Sequence, residues 1–181
     1  MENKTLTIIS CSSKKRDYAC RADEMYIGPF FVKLYDLAKR IGGDIYISSA
    51  KYGLITPDTI IEPYDLGILP PFEYRLWERG KISKATRVSM GKHRRIRNKI
   101  VGERFMKKIN FTNEDYDVTY VGVSEYYVPF LEKTLLKKPY KNLTLGGGGM
   151  FELCSSDYLK NQYNRLDELP LGFRKQHMKC K

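Results

Sequence analysis

Four short apolar runs rich in β-branched residues constrain this sequence most, because helical patterns or loop excursions separate them. The runs cover residues 6–10, 44–49, 118–123 and 142–145, and each has the length and composition of a buried strand. Strands that alternate with helices indicate a parallel sheet with helices on both of its faces. We therefore predict an α/β fold, a three-layer sandwich with a mostly parallel four-stranded sheet.

The segments between these runs predict the helices. Apolar residues at helical spacing run through residues 30–41 and stop at two glycines, which are common just after a helix end. A second helix is expected over residues 126–136 with Ser124 as its N-cap, and a third over about residues 150–163. At 181 residues the chain is predicted to form a single domain.

The positive charge of the chain is concentrated in one segment. Residues 75–108 contain thirteen Lys and Arg against two acidic residues, so this segment alone carries the net charge of +11 of the whole chain. We expect a basic helical excursion here, starting near Ser83 and interrupted at Gly91 and Gly102. Clustered positive charge is typical of a surface that binds nucleic-acid phosphates. A solvated helix without a partner and a contact with a membrane surface are the alternatives.

The middle of this basic segment predicts the nucleic-acid interface. Its candidate residues are Lys84, Arg87, Lys92, His93, Arg94, Arg95, Arg97 and Lys99. The two histidines of the chain are too far apart in sequence to indicate a metal pair, and the four cysteines lack the spacing of a zinc site. We therefore predict neither a metal nor a cofactor.

Ligands of parallel α/β folds bind outside the carboxyl ends of the strands. The loop after the first strand offers Cys11, Ser12, Ser13 and Lys15, which suit a phosphate or the polar edge of a base. Cys11 could act as a nucleophile, but no histidine lies near it in sequence to activate the thiol. A structural or substrate-contacting role is therefore favoured for Cys11.

The loop after the second strand contains the predicted catalytic groups. Its substrate-binding candidates are Ser49, Lys51, Tyr52, Gly53 and Tyr64. Tyr52 and Tyr64 offer flat faces on which a base could stack. Asp65 or Glu62 could activate water or stabilise an oxocarbenium ion, and Asp65 is preferred because it lies beside aromatic and cationic residues. The alternative is that residues 63–65 form a turn held by the aspartate side chain.

The loops after the third and fourth strands add further candidates. Glu125 is a second possible acid and Tyr126 a substrate contact, although Glu125 could serve only to stabilise a helix N-terminus. Gly147 and Gly148 belong to a run of four glycines after the fourth strand. Such a run lets backbone amides approach a phosphate, but it is also common in flexible connectors.

Three motifs carry a resemblance to a known family. They read Ser10-Cys11-Ser12-Ser13-Lys14-Lys15, Ser49-Ala50-Lys51-Tyr52-Gly53-Leu54 and Glu62-Pro63-Tyr64-Asp65. With them the chain resembles a family of phage, archaeal and bacterial proteins that looks like a distant branch of the uracil-DNA-glycosylase-like fold. It is similar to the archaeosine synthase domain with a Cys-x3-Lys motif, which Cys11 and Lys15 match, and to a phage-defence DNA glycosylase that excises glucosylated hydroxymethylcytosine.

The resemblance implies a uracil-DNA-glycosylase-like fold and a DNA glycosylase that releases a modified base, such as glucosylated hydroxymethylcytosine in phage DNA. Two departures from the family patterns limit how far residue roles carry over. The Gly-Gln-Asp-Pro-Tyr signature is absent after the first strand, and Arg16-Asp17 stands where the archaeosine motif has Pro-Tyr. The catalytic role of Asp65 or Glu62 therefore rests on chemical need alone.

Two other functions stay open. A transferase that modifies a 7-deazaguanine base in tRNA or DNA would use Cys11 to attack a nitrile. A non-catalytic nucleic-acid-binding protein would need only the basic segment. In each case we expect a cytoplasmic protein whose partner is nucleic acid, first of all DNA with modified bases. We expect no obligate protein partner and no membrane, since no apolar run reaches the roughly 20 residues of a membrane span.

Overall fold

The computed structural model of the chain describes residues 4–69, 71–145 and 151–155. Its strands are β1 (Thr5–Ser10), β2 (Cys20–Arg21), β3 (Asp44–Ser49), β4 (Gly53–Ile55), β5 (Ile60–Ile61), β6 (Val118–Gly122), β7 (Lys141–Leu145) and β8 (Phe151–Ser155). Its α-helices are α1 (Ala22–Met25), α2 (Pro29–Ile41), α3 (Phe72–Glu78), α4 (Lys84–Met106) and α5 (Val128–Thr134). Most of the chain up to β7 therefore belongs to helices, strands and short connections.

The described residues form a mixed central sheet in the strand order β4-β3-β1-β6-β7-β8. Strands β3, β1, β6 and β7 are parallel to one another, whereas β4 and β8 pair antiparallel at the two edges. The α/β class and the four predicted strands are thus confirmed, but the prediction of a four-stranded sheet is wrong. Both added strands lie at the edges of the sheet, where they pair antiparallel with β3 and β7, and β4 is only three residues long.

Two helix predictions differ from the structure at the carboxyl-terminal side. Residues 151–155 form strand β8, so the helix expected over about residues 150–163 is wrong there, and the remainder of it lies outside the described residues. Helix α5 is shorter than expected, and its N-cap is Tyr127. Ser124 does not cap the helix through its side chain; its backbone carbonyl accepts the N–H of Tyr127 at 2.8 Å.

The alternation of side chains along β1 divides the core into two halves. Leu6 and Ile8 pack with Phe105 of α4 and Leu131 of α5 on one face of the sheet. Ile9 points to the opposite face, where the apolar side of α2 covers the sheet. Side chains alternate across a strand while helical side chains repeat every three to four residues, so one sheet carries a helical layer on each side.

Helix α4 is continuous, which corrects the expected interruptions at Gly91 and Gly102. Its N-terminus is capped by the hydroxyl of Ser83, which accepts the N–H of Thr86 at 3.1 Å. A Cβ at Gly91 would lie 3.2 Å from a carboxylate oxygen of Glu73, and one at Gly102 would lie 2.1 Å from the ring of Phe130. Both glycines therefore serve close packing against neighbouring elements rather than a break in the helix.

The connections place a topological switch point between β1 and β6. The chain leaves β1 through α2 to β3 on one side and later inserts β6 on the other side of β1. The carboxyl ends of the two strands are tied together, because the N–H of Ser124 donates to the hydroxyl of Ser10 at 2.9 Å. Crevices at such points are where α/β sheets bind ligands. Among the described residues no helix has both the length and the apolar character to cross a membrane.

Candidate functional site

The carboxyl ends of β1, β3 and β6 gather aromatic, cationic and thiol side chains. We refer to this group as the tyrosine cluster: Cys11, Lys15, Tyr26, Ser49, Lys51, Tyr52, Tyr64 and Tyr127. Six of its members are predicted site residues from the loops that follow β1 and β3. Tyr26 and Tyr127 were not predicted. Tyr26 directly follows α1 and Tyr127 directly precedes α5, and an aromatic residue at a helix end is most simply interpreted as part of the core.

Tyr64 is the centre of a chain of hydrogen bonds within the tyrosine cluster. Its hydroxyl lies 2.9 Å from the hydroxyl of Tyr26 and 2.7 Å from that of Ser49. The Ser49 hydroxyl also accepts the backbone N–H of Tyr52 at 3.1 Å. Because every link is buried or half-buried, the chain fixes the ring of Tyr64 in one position.

Two lysines place positive charge against the rings. The ammonium group of Lys15 lies 4.4 Å from the centroid of the Tyr64 ring, and that of Lys51 lies 5.9 Å from it. Lys51 is also 4.9 Å from the centroid of the Tyr52 ring, which meets Tyr64 edge to face. Neither lysine forms an ion pair with a carboxylate of the described residues. Cations that lack an acidic partner make this end of the sheet attractive to negative charge.

Cys11 is the first residue after β1, and its thiol belongs to the same network. Its backbone N–H donates to the carbonyl of Ser48 at 3.2 Å, which continues the pairing with β3. Burial raises the pKa of the Cys11 thiol above its ordinary value, while the hydroxyl of Tyr64 and the charge of Lys15 act in the opposite direction. The thiol is therefore neutral at neutral pH.

The hydroxyls of Tyr26, Tyr64 and Tyr127 are protonated over the whole neutral range. Burial raises the pKa of Tyr26 to about 12. The pKa values of Tyr64 and Tyr127 are also raised, first by burial and then by the nearby Cys11. These three side chains therefore offer O–H donors to a ligand rather than phenolate charge.

The loop with the predicted catalytic carboxylates borders the tyrosine cluster. The Tyr52 hydroxyl holds the backbone of this loop: it donates to the carbonyl of Glu62 and accepts the N–H of Glu62, both at 3.3 Å. The carboxylates of Glu62 and Asp65 are exposed, and neither is hydrogen-bonded to another described residue. The structure thus brings both acids to the margin of the tyrosine cluster, outside its hydrogen-bonded centre.

Three other predicted substrate-binding residues, Ser12, Ser13 and Gly53, lie outside the hydrogen-bonded centre of the tyrosine cluster. The Ser12 hydroxyl packs against the backbone of Gly28, where an added Cβ would approach it to 2.1 Å, while Ser13 is exposed. Gly53 has a φ of 87° at the start of β4, a conformation that favours glycine. An added Cβ there would also lie 2.6 Å from the Cβ of Lys108 at the end of α4. Gly53 is therefore explained by the turn and by the approach of α4.

The remaining candidates follow the third and fourth parallel strands. Glu125 and Tyr126 are half-buried in the turn after β6, next to the switch point. Gly147 and Gly148 lie outside the described residues. Among the residues that the structure describes, no three His, Cys, Asp or Glu side chains are grouped as metal ligands would be.

The predicted nucleic-acid interface divides into outward-facing and inward-facing residues. Five side chains are exposed on α4: Lys84, Lys92, His93, Arg95 and Lys99. Three are half-buried and engaged within the protein. Arg87 lies against aromatic rings of α3, Arg94 binds Glu73, and Arg97 donates to the carbonyl of Gly67 at 2.6 Å.

Glu73 is an acidic residue that sequence reasoning missed. Its side chain is 1% exposed, and the Nε of Arg94 donates to both of its carboxylate oxygens at 3.0 and 3.1 Å. The two residues are 21 positions apart on different helices, so no local pattern signals the pair. Their ion pair fastens α3 to α4 in what we call the α3–α4 hairpin, residues 72–106.

Comparison with known proteins places these features in one family. The model of a family described as being of unknown function matches residues 6–118, which is more than half of the chain. The matched segment contains every member of the tyrosine cluster except Tyr127, together with the whole α3–α4 hairpin. No curated protein matches the chain.

Proposed function

The chain belongs to DUF6884, a family of unknown function, and we propose that it is a DNA glycosylase that hydrolyses the N-glycosidic bond of a modified base. The observation that carries the proposal is the pair Lys15 and Lys51 against the ring of Tyr64 at 4.4 and 5.9 Å, without an ion-pair partner among the described residues. Glucosylated hydroxymethylcytosine is the first base to test, because the motifs of the tyrosine cluster resemble those of a phage-defence glycosylase.

The charges of the reaction suit such a site. When the bond from the base nitrogen to C1′ breaks, its electron pair stays on the base, which leaves with negative charge. Donors fixed in advance where charge develops are a large source of catalysis. Lys15, Lys51 and the hydroxyl of Tyr64 would stabilise the departing base, which then takes up a proton. The oxygen of a water molecule bonds to C1′ and loses a proton, leaving an abasic site.

The sugar becomes positively charged in the same step and calls for a carboxylate. We assign this role to Asp65, with Glu62 as the alternative, because both stand on the loop that borders the tyrosine cluster. Glu125 is the third candidate, since it follows β6 at the switch point. In this assignment the carboxylate would stand next to the sugar, beside the bound base.

A glycosylase must also take its base out of the stack. The exposed cations of α4 would hold the phosphates of the DNA while the base enters the tyrosine cluster. A three-layer sandwich with its site at the β1–β6 switch point is compatible with the uracil-DNA-glycosylase-like fold that the motifs resemble. Release of modified bases from phage DNA would serve antiviral defence in the cytoplasm.

Base release measured by mass spectrometry tests the proposal. The full chain is incubated with DNA that contains cytosine, hydroxymethylcytosine, glucosylated hydroxymethylcytosine or 7-deazaguanine. We expect one free modified base and an alkali-labile abasic site, both lost in Asp65→Asn. Asp36→Asn is the matched control, because Asp36 is an exposed aspartate on α2 that pairs with Lys39. No release from any of these DNAs, with DNA binding retained, would contradict the proposal.

A transferase acting on a 7-deazaguanine base is the second candidate, and the position of Cys11 favours it. The thiol lies among the hydroxyls of Tyr64 and Tyr127 beside Lys15, where a nitrile carbon could be attacked. The raised pKa of the Cys11 thiol opposes this chemistry, since the thiolate is the nucleophile. A covalent adduct of Cys11 with a nitrile-bearing deazaguanine would favour the transferase. Undiminished base release in Cys11→Ser would favour the glycosylase.

A further inference from the structure

Helix α3 presents two large aromatic side chains to solvent, apart from the tyrosine cluster. Tyr74 is 41% and Trp77 is 40% exposed, and they stand one helical turn apart. The guanidinium carbon of Arg87 lies 4.8 Å from the centroid of the Tyr74 ring and 4.4 Å from that of Trp77. A cation against the rings helps to hold them in place while part of each ring surface stays accessible.

The framework beneath these rings is rigid. Glu73, next to Tyr74 in the chain, is buried and bound by Arg94 of α4. Gly91 lets the two helices approach, since a Cβ there would lie 3.2 Å from the Glu73 carboxylate. The buried ion pair and the close helix contact fix α3 on α4, so the exposed rings form a defined surface rather than a mobile tip.

Positive charge lies on one side of the aromatic pair, along α4. Tyr74, Arg87 and Arg95 line one shallow cleft between α3 and α4. Lys84 and Lys92 are exposed on the same helix, near Arg87 and Arg95 in the chain. Cations beside exposed aromatic rings match the chemistry of a nucleic-acid strand, which carries phosphates along its backbone and flat bases at its side.

We propose that the α3–α4 hairpin is a platform for single-stranded DNA, on which bases stack against Tyr74 and Trp77 while Lys84, Lys92 and Arg95 contact phosphates. Exposed rings favour an unpaired strand, because the faces of paired bases are already covered by their neighbours in a duplex. The choice of DNA over RNA rests on the proposed glycosylase function, whereas the stacking platform does not depend on it.

The platform deepens the proposed function by naming the form of its substrate. Extruding a base costs the least free energy where the DNA is already unpaired or single-stranded. A hairpin that holds an unpaired strand would therefore favour DNA that is open, such as replicating or damaged DNA, over a closed duplex. The protein would then release bases faster from single-stranded DNA than from a perfect duplex of the same sequence.

Trp77 is the one tryptophan of the chain, so its fluorescence reports on the platform directly. The full protein is titrated with single-stranded oligothymidylate and with a duplex of the same length. We expect the single strand to quench Trp77 emission and to bind more tightly than the duplex. Tyr74→Ala should weaken single-strand binding by about 5- to 150-fold, which corresponds to the 1–3 kcal/mol of one stacked base.

Tyr18→Ala is the matched control and should bind as the wild type does. Tyr18 is also an exposed tyrosine against an arginine, with the guanidinium carbon of Arg16 5.5 Å from its ring centroid, but it lies outside the hairpin. Equal affinity for duplex and single strand, or unchanged emission with full affinity in Tyr74→Ala, would overturn the platform. Tighter binding of oligouridylate than of oligothymidylate would overturn the choice of DNA.

The outcome separates this inference from the proposed function. Quenching by single-stranded DNA without base release from any DNA would support the platform and contradict the proposed glycosylase activity. Base release without quenching of Trp77 would remove the platform and keep the glycosylase.

Discussion

The tyrosine cluster and the α3–α4 hairpin both combine aromatic rings with cations, but they differ in burial. In the cluster, Tyr26 and Tyr64 are linked through their hydroxyls, and the lysines enter from the rim without acidic partners. In the hairpin, Tyr74 and Trp77 are exposed, and an arginine lies against both rings. The aromatic hydroxyls of the cluster are therefore engaged within the protein, whereas the rings of the hairpin keep surface that is open to solvent.

The two regions also differ in how their charges are balanced. The hairpin satisfies its buried carboxylate Glu73 with Arg94, so that ion pair is structural. The tyrosine cluster leaves Lys15 and Lys51 without such a partner among the described residues, so they are available to a substrate. The proposed function thus divides the roles: the hairpin would bind the strand, and the cluster would carry out the chemistry.

The largest effect is expected from removal of the buried acid. Glu73→Ala leaves Arg94 half-buried without its partner, and breaking such a pair costs about 3–5 kcal/mol of the free energy of unfolding. Urea denaturation measures the loss. Asp36→Ala removes an exposed carboxylate that pairs with Lys39 and should cost under about 1 kcal/mol. Equal losses in the two variants would show that the Glu73 pair does not anchor the hairpin.

A smaller loss is expected at the centre of the tyrosine cluster. Tyr64→Phe removes the hydroxyl that links Tyr26 and Ser49, and a buried polar group left without its partner costs about 1–3 kcal/mol. Tyr18→Phe is the control, because the Tyr18 hydroxyl is exposed and binds only Arg16 among the described residues. Urea denaturation of both variants gives the comparison. No difference between them would mean that the hydrogen-bonded chain does not hold the cluster.

The smallest effect is a loss of stability in alkaline solution. An unfolded tyrosine ionises near pH 10, whereas burial raises the pKa of folded Tyr26 to about 12. The folded state therefore holds this proton more tightly, so its contribution is full below pH 10 and is lost as the pH rises towards 12. At pH 10.5 the loss is just under about 1 kcal/mol. Tyr26→Phe should lose less stability than the wild type between pH 9 and pH 10.5; identical losses would contradict the raised pKa.

The sequence predicted the parallel part of the sheet because β1, β3, β6 and β7 each contain a short run rich in apolar and β-branched residues. It missed β4 and β8, whose pairing depends on neighbouring strands rather than on their own composition. It also predicted breaks in α4 at Gly91 and Gly102, where the structure uses the missing side chains for contact with Glu73 and Phe130. Local propensity gives no information about such contacts between distant residues.

The part of the candidate site that lies at strand ends could be predicted from the sequence, because the strands themselves could be predicted. The rule that parallel strands bind ligands at their carboxyl ends selected Cys11, Lys15 and Tyr64, which the structure brings together. Charge counting selected the basic helix but could not separate Arg94, which faces Glu73, from Arg95, which faces solvent. That distinction depends on how α3 packs against α4.

Single-turnover base release as a function of DNA concentration tests the division of roles most directly, with Lys15→Met and Trp77→Ala measured in parallel. The account predicts that Lys15→Met lowers the rate at saturating DNA by about 100- to 1,000-fold, as loss of one donor to a developing negative charge does, with little change in affinity. Trp77→Ala should reach the wild-type rate but only at higher DNA concentrations. If both variants changed only the affinity, or if Trp77→Ala lowered the saturated rate as much as Lys15→Met, the account would be contradicted.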